Sequence, residues 1–349
     1  MSQVRVLVVD DSALVRKVLE SGLNSDPRLS VVGTAPDPYT ARDLIVQSKP
    51  DVITLDIEMP KMDGVEFLRR LMAQMPIPVV MVSSLTERGA QATFDALEAG
   101  AVDFVTKPGS QYGGKGLESM LGELRNKVFA ASRIAVGRLR ARQAVVSPKP
   151  ANRSLANTTD KVIALGASTG GTEALKEVVR QFPANTPGVV IVQHMPEKFT
   201  EMYAARLNQL CAMEVKEAAD DDRVMPGRVL IAPGGRQMRI VRQGGQYRVR
   251  CIQGDRVSGH CPSVDVMFES VATDVGRNAV GAIFTGMGSD GAVGLLKMRQ
   301  AGAATFGQDE ASSVVYGMPR VAFEKGAVQV QLPLGEIAEK ILEAVSRAR

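Results

Sequence analysis

Three side chains spread along this 349-residue chain could together carry out acyl transfer. They are a serine in a glycine-rich turn, a histidine behind an apolar run and an aspartate in a second glycine-rich turn. The serine is Ser168, in Gly166-Ala167-Ser168-Thr169-Gly170-Gly171. The run Val162-Ile163-Ala164-Leu165 before it reads as a short buried strand, and Thr172 to Val179 after it is apolar at helical spacing. A Gly-x-Ser-x-Gly pattern on a strand-to-helix turn holds a serine oxygen out at the strand tip, as in a nucleophile elbow. An ordinary glycine-rich turn and a phosphate-binding turn also fit this loop. A dinucleotide fingerprint would need glycine where Ser168 stands, and a phosphate loop would need a Gly-Lys-Ser/Thr ending that the loop lacks.

A serine nucleophile needs a base to take its proton, and the chain has two histidines. His194 directly follows the apolar run Gly188 to Gln193, so it is expected on the same sheet rim as Ser168. His260 lies in Gly259-His260-Cys261-Pro262, behind no strictly apolar strand. Asp290, in Thr285-Gly286-Met287-Gly288-Ser289-Asp290-Gly291 after the apolar Ala279 to Phe284, could fix the imidazole tautomer and stabilise its charged form. Strand-end placement favours Ser168, His194 and Asp290. The other arrangement, His260 with an aspartate such as Asp222, would keep the hydrolase chain order of Ser, Asp, His. The backbone N–H groups of Thr169 and Gly170 at the helix start, and the loop around Met287, are suited to receive an oxyanion.

A second constellation lies near the N-terminus. Asp10 and Asp11 follow the apolar run Val4 to Val9, and Asp56 follows Val52 to Leu55. Three converging carboxylates repel one another unless a cation sits among them, and oxygen ligands suit Mg²⁺. Ser83 and Lys107, behind two further strand patterns, would add a hydroxyl and a fixed positive charge. A phosphoryl group on Asp56 would then be held by the metal, Lys107 and Ser83.

The elements that must position these residues alternate. Strand patterns at Val4 to Val9, Val31 to Ala35, Val52 to Leu55, Pro78 to Val82 and Val102 to Val105 are separated by helical patterns, which implies a parallel doubly wound sheet. The alternation resumes after residue 160, with strands at 162–165, 188–193, 228–232, 279–284 and 303–306, and an alternating Tyr247 to Cys251 that fits an antiparallel edge strand. Helices are expected at 264–272, 293–300 and 334–348. The fold class is therefore α/β: two doubly wound, mostly parallel-sheet domains, which family resemblance further implies to be flavodoxin-like and then Rossmann-like and hydrolase-type. The expected boundaries are 1–125, a basic linker at 126–159 and 160–349. Leu117 to Arg142 could be one helix with an apolar stripe, which Ser147-Pro148-Lys149-Pro150 would stop.

Composition narrows the function classes. With 42 basic and 38 acidic residues, a net charge of +4 is too balanced to argue for nucleic acid. The basic excess is local: Leu124 to Thr159 holds Arg125, Lys127, Arg133, Arg138, Arg140, Arg142, Lys149 and Arg153 and no acid, as expected of a solvated linker. Three cysteines without metal or redox spacing fit a cytoplasmic protein without disulfides. No apolar run is long enough for membrane insertion.

Two resemblances follow from these residues. Asp10-Asp11, Asp56-Ile57-Glu58-Met59-Pro60-Lys61-Met62-Asp63-Gly64 and Phe104-Val105-Thr106-Lys107-Pro108 resemble a response-regulator receiver domain. That implies phosphorylation of Asp56 by a histidine kinase. It also implies Mg²⁺ held by Asp10, Asp11, Asp56 and the Glu58 carbonyl, with Ser83 and Phe104 as the switch residues. The Ser168 loop, Gln193-His194-Met195, Ala232-Pro233-Gly234, Pro262-Ser263-Val264-Asp265 and the Asp290 loop are similar to the catalytic domain of the chemotaxis protein-glutamate methylesterases. That implies a hydrolase acting on methylated glutamates of chemoreceptors, with glutamine deamidation as a companion activity. Ser168 would be the nucleophile, His194 the base, Asp290 its carboxylate and the Met287 N–H an oxyanion donor, with no cofactor in the ester step. The expected coupling is a receiver that covers the Ser168 rim until Asp56 is phosphorylated.

Overall fold

Strands and helices alternate strictly through the first unit of the computed structural model, which describes residues 3–84, 86–107, 113–134 and 160–346. The order is β1 (Val4–Val9), α1 (Ala13–Asn24), β2 (Leu29–Ala35), α2 (Pro38–Ser48), β3 (Val52–Asp56), α3 (Gly64–Gln74), β4 (Val79–Ser83), α4 (Glu87–Glu98), β5 (Asp103–Thr106) and α5 (Gly113–Ala131). The five strands form one parallel sheet in the order β2-β1-β3-β4-β5. β3 and β4 are buried throughout, which is why they read as unbroken apolar runs rather than alternating ones. Ser12, Asp37 and Asp63 start α1, α2 and α3 by accepting from first-turn N–H groups. The strand order reverses beside β1, so the carboxyl ends of β1 and β3 frame the crevice where such sheets bind ligands.

The chain divides into two compact units, 1–146 and 147–349. Helix α5 belongs to the first. Its buried stripe of Leu121, Leu124, Val128 and Ala131 packs on α1, β3, β4 and β5. The helix expected over 117–142 therefore starts earlier and ends at Ala131, where Ser132, Arg133 and Ile134 N–H groups close a last tight turn. Residues 126–131, read as linker, are helical here. The remaining basic residues of the run, from Arg138 to Arg153, and the Ser147–Pro150 stop lie outside the described residues.

The second unit holds β6 (Val162–Ala167), α6 (Gly171–Val179), β7 (Gly188–Gln193), α7 (Phe199–Leu210), β8 (Glu214–Glu217), β9 (Arg228–Ile231), β10 (Gln237–Gln243) and β11 (Gln246–Ile252). It continues with α8 (Val264–Asp274), β12 (Ala279–Ile283), α9 (Ala292–Gln300), β13 (Ala304–Gln308), α10 (Met318–Glu324), β14 (Val330–Leu332) and α11 (Leu334–Ser346). Seven parallel strands run in the order β14-β13-β12-β6-β7-β9-β8. β6 and β12 lie side by side although far apart in sequence, so their carboxyl ends mark this sheet's switch point. β11 is antiparallel as expected, but its partner is β10 in a separate two-stranded sheet and not the main one. That small sheet packs on α8: the Ser270 hydroxyl accepts from Ile240 N at 2.9 Å.

Candidate active site

Ser168 and His194 occupy the same step beyond neighbouring strands. β6 and β7 pair in register up to Ala167 and Gln193, and the next residue on each is the serine and the histidine. His194 N donates to Ala167 O at 3.2 Å, which keeps the two strand ends together one residue past the pairing. Ser168 N donates to Thr285 O at 3.0 Å, which ties the serine to the loop after β12 on its other side. The turn into α6 needs Gly170 at φ +76°, a backbone that side chains rarely adopt. On the facing loop, a Cβ at Gly286 would lie 2.7 Å from Ser168 Cβ. Glycine there lets the two loops close on one another.

The histidine and aspartate are in contact. His194 Nε2 lies 2.7 Å from Asp290 Oδ2. Both are buried, with side chains 7% and 1% exposed. Asp290 also accepts from Ser263 Oγ at 2.7 Å, Val264 N at 2.7 Å and Asp265 N at 3.1 Å. The last two are N–H groups of the first turn of α8, donors that a carboxylate at a helix N-terminus is placed to use. Burial alone would raise the Asp290 pKa. The bonds from His194, Ser263 and Asp265 outweigh it and hold the carboxyl below its ordinary value. Neighbouring Asp265 goes the other way: burial and the Asp290 charge raise it, although its carboxylate accepts from Gly294 N at 2.7 Å.

With Nε2 on Asp290, the other ring nitrogen, Nδ1, is buried and has no hydrogen-bond partner. An ionised aspartate accepts a hydrogen bond from Nε2–H, so Nδ1 is the unprotonated nitrogen of the neutral ring. The His260 ring stacks on His194 with centroids 3.6 Å apart and planes 10° from parallel. The second histidine thus stands beside the first. Asp222, its suggested carboxylate, is committed elsewhere: it binds Lys216 Nζ at 2.9 Å and Ala219 N at 2.7 Å. Of the expected oxyanion donors, Gly170 and Met287 have N–H groups without a backbone partner among the described residues. Thr169 is buried, and its carbonyl accepts from the Thr285 hydroxyl at 2.9 Å.

Two groups in this site stand in the family-like segments of the sequence but were given no role there. Ser263 is one; as the N-cap of α8 it accepts from Val266 N at 3.4 Å while its own proton goes to Asp290. The Ser-plus-apolar-run signature of a helix start could have found it. Gln193 is the other. Its amide donates to Ser168 O at 3.0 Å and to His194 O at 3.2 Å. Its local signal was a polar residue closing an apolar strand.

The first unit gathers its acids as expected. Ligand oxygens of Asp10, Asp11 and Asp56 all lie within 4.8 Å of one another. Lys107 Nζ is 2.9 Å from Asp10 Oδ2 and 2.8 Å from Asp56 Oδ2. Burial pushes the Asp56 carboxyl up to about 6 even though Lys107 pulls it down, and the Asp10 charge adds to the rise. Asp10 Oδ2 is buried, with the Lys107 ammonium beside it. A hard, all-oxygen donor set fits a Mg²⁺ ion. Ser83 is fully buried. Its hydroxyl accepts from Thr93 Oγ1 at 2.7 Å and is 3.2 Å from Gly89 O, so in this structure it is engaged with α4. Phe104 is buried with Lys127 Nζ 5.3 Å from its ring centre, and the Glu58 side chain is exposed. No helix among the described residues is long and apolar enough to cross a membrane.

Comparison with known proteins matches residues 163–341 to the CheB methylesterase family and residues 6–112 to the response regulator receiver domain. A protein-glutamate methylesterase/protein-glutamine glutaminase of Syntrophotalea carbinolica is 60% identical over 99% of both chains. One of the same description from Sulfurimonas denitrificans is 55% identical over 99% of both. The crystal structure of the Thermotoga maritima CheB methylesterase catalytic domain is 35% identical and superposes with a TM-score of 0.52, covering 53% of this chain and 99% of that one.

Proposed function

Since this chain belongs to the protein-glutamate methylesterase/protein-glutamine glutaminase family, with a receiver domain ahead of a CheB methylesterase domain, we propose that Ser168, His194 and Asp290 carry out its ester hydrolysis. The observation that supports this most is the 2.7 Å contact of His194 with Asp290 at the rim where Ser168 leaves β6.

The substrate is a methylated glutamate on a chemoreceptor. His194 Nδ1 takes the Ser168 proton as Oγ attacks the γ-carbonyl carbon, and the charged imidazole is stabilised by Asp290. The oxyanion of the tetrahedral intermediate meets the N–H groups of Gly170 and Met287, with Thr169 beside them. Collapse breaks the bond to methoxide, which leaves as methanol with the proton from His194. Water, deprotonated by the same nitrogen, then attacks the acyl-enzyme. It releases glutamate and restores Ser168. A glutamine in the same pose loses ammonia instead, which gives deamidation by the same route.

Phosphorylation of Asp56 by a histidine kinase regulates this activity. Asp10, Asp11 and Asp56, with the Glu58 carbonyl, would hold Mg²⁺, which when bound supplies charge neutralisation for the phosphoryl oxygens. Lys107 adds a fixed cation beside Asp56. Its pKa is raised: burial would lower it, but hydrogen bonds to Asp56 and Asp10 win. The Ser83 hydroxyl would leave Thr93 and Gly89 to bind the phosphoryl group, with Phe104 following as the switch aromatic. Three free cysteines fit action in the reducing cytoplasm.

The test is methanol release from methylated receptor membranes, with and without a small phosphodonor. Wild type should release methanol and respond to the donor, Ser168→Ala should release none, and Asp56→Asn should release it without responding. Equal release by wild type and Ser168→Ala would reject the hydrolytic assignment.

A further inference from the structure

Gln193 ends β7 and is 3% exposed. Its Nε2 is shared between two carbonyl oxygens, those of Ser168 at 3.0 Å and His194 at 3.2 Å. Neither carbonyl can donate, so the amide cannot turn over without setting Oε1 against two acceptors. Held this way round, Oε1 is buried and has no partner. A buried acceptor without a donor is destabilising, and a leucine or methionine at this strand position would avoid it. Gly171 also leaves room for this side chain: a Cβ there would overlap Gln193 Oε1.

We propose that Gln193 is a positioning residue for the hydrolysis, a crosslink that sets the spacing of Ser168 Oγ and His194 Nδ1 by holding both residues by their backbones. This rests on the assignment of Ser168 and His194 as nucleophile and base. Strand pairing ends at Ala167 and Gln193. Beyond it, the His194 N to Ala167 O bond and this amide join the two loops. Near-attack geometry is sensitive to displacements of about 1 Å, which can cost roughly 100-fold in rate.

The experiment follows Ser168 labelling by a serine-directed fluorophosphonate, alongside methanol release, in full-length wild type, Gln193→Met and Gln193→Glu. Methionine keeps the bulk and removes the donor; glutamate keeps the shape and faces the two carbonyls with acceptors. Both variants should label to the wild-type endpoint but about 10- to 100-fold more slowly. The kcat should fall by the same factor with KM within about twofold. The pH midpoint of kcat/KM should stay in place, because the His194 ring is not touched. Wild-type labelling rates in either variant would overturn the proposal. So would a reduced endpoint with an unchanged rate, since that is lost folding and not lost alignment. If wild-type Ser168 itself did not label, the nucleophile assignment would fall first, and this inference with it.

Discussion

His194 meets Asp290 through Nε2, at 2.7 Å from Oδ2, and its Nδ1 is left buried without a hydrogen-bond partner. The more familiar triad uses the ring the other way round, with the aspartate on Nδ1. Parallel strands account for the difference. Ser168 and His194 leave neighbouring strands at the same height, so the serine lies close to the histidine's own backbone, and Nδ1 is the ring nitrogen nearest that backbone. Asp290 approaches from the α8 side and takes the distal nitrogen.

Removing the nucleophile should abolish turnover and leave the fold alone. Ser168→Ala is expected to lower kcat by about 10⁶-fold, while substrate binding and the melting temperature stay near wild type. Methanol release and co-sedimentation with receptor membranes measure the two separately. Loss of both would mean that Ser168 serves the fold or the docking and not the bond-making step.

Asp290→Asn tests tautomer control and stability together. An amide no longer demands a proton on Nε2, so kcat should fall by about 10³- to 10⁴-fold. The stability effect has a definite sign. The native carboxyl lies below its ordinary value of 3.8, so it stabilises the fold fully above that value and loses the contribution as pH falls through the native pKa. Denaturant melts should show the variant weaker by about 2–4 kcal/mol at pH 7, since buried charged hydrogen bonds are lost. The gap should narrow as the pH falls below 3.8 and through the lower native value. A gap that widens on acidification would contradict the lowered carboxyl.

The two histidines should separate cleanly. His194→Ala removes the base and should be as inactive as Ser168→Ala. His260→Ala removes a stacked ring, a contact worth about 0.5–1.5 kcal/mol, so activity should fall by about tenfold or less and His260→Phe should recover part of it. If His260→Ala were the inactive variant, the roles of the stacked rings would have to be exchanged.

Much of this site was legible because parallel sheets put function at strand ends. Ser168, His194, Asp290, Asp10 and Asp56 each follow an apolar run with a fixed exit, so their side of the sheet was readable without coordinates. What resisted reading was short, polar or mutual. β8 is Glu-Val-Lys-Glu and β14 is three residues, too little for a period to register. β10 alternates only briefly, with Arg239 exposed between buried Met238 and Ile240 and its last residues exposed. Gln193 and Ser263 act through backbone groups and a carboxylate remote in sequence, and no local pattern encodes such partnerships. The stacking of His260 on His194 depends on where the chain returns after the β10–β11 hairpin, and a strand-end rule cannot supply that. Ser83 shows the converse: its position was predictable, but its bonds to α4 were not.

The acid cluster of the first unit makes a prediction that does not depend on esterase activity. Asp10, Asp11 and Asp56 share one small volume, with Lys107 paired to the carboxylates of Asp10 and Asp56. An ion that binds the folded cluster and not the unfolded chain must stabilise it, by about 1.4 kcal/mol at tenfold its dissociation constant. Mg²⁺ should therefore raise the first melting transition of the full chain at pH 7.5. Asp10→Asn, which removes a buried ligand, should abolish that shift. Asp56→Asn should weaken it and also remove the response of methanol release to a phosphodonor, while leaving the unstimulated rate. A Mg²⁺ shift that survives Asp10→Asn would place the ion elsewhere. If Asp56→Asn still responded to the donor, the phosphoryl group would have to be assigned to a different residue.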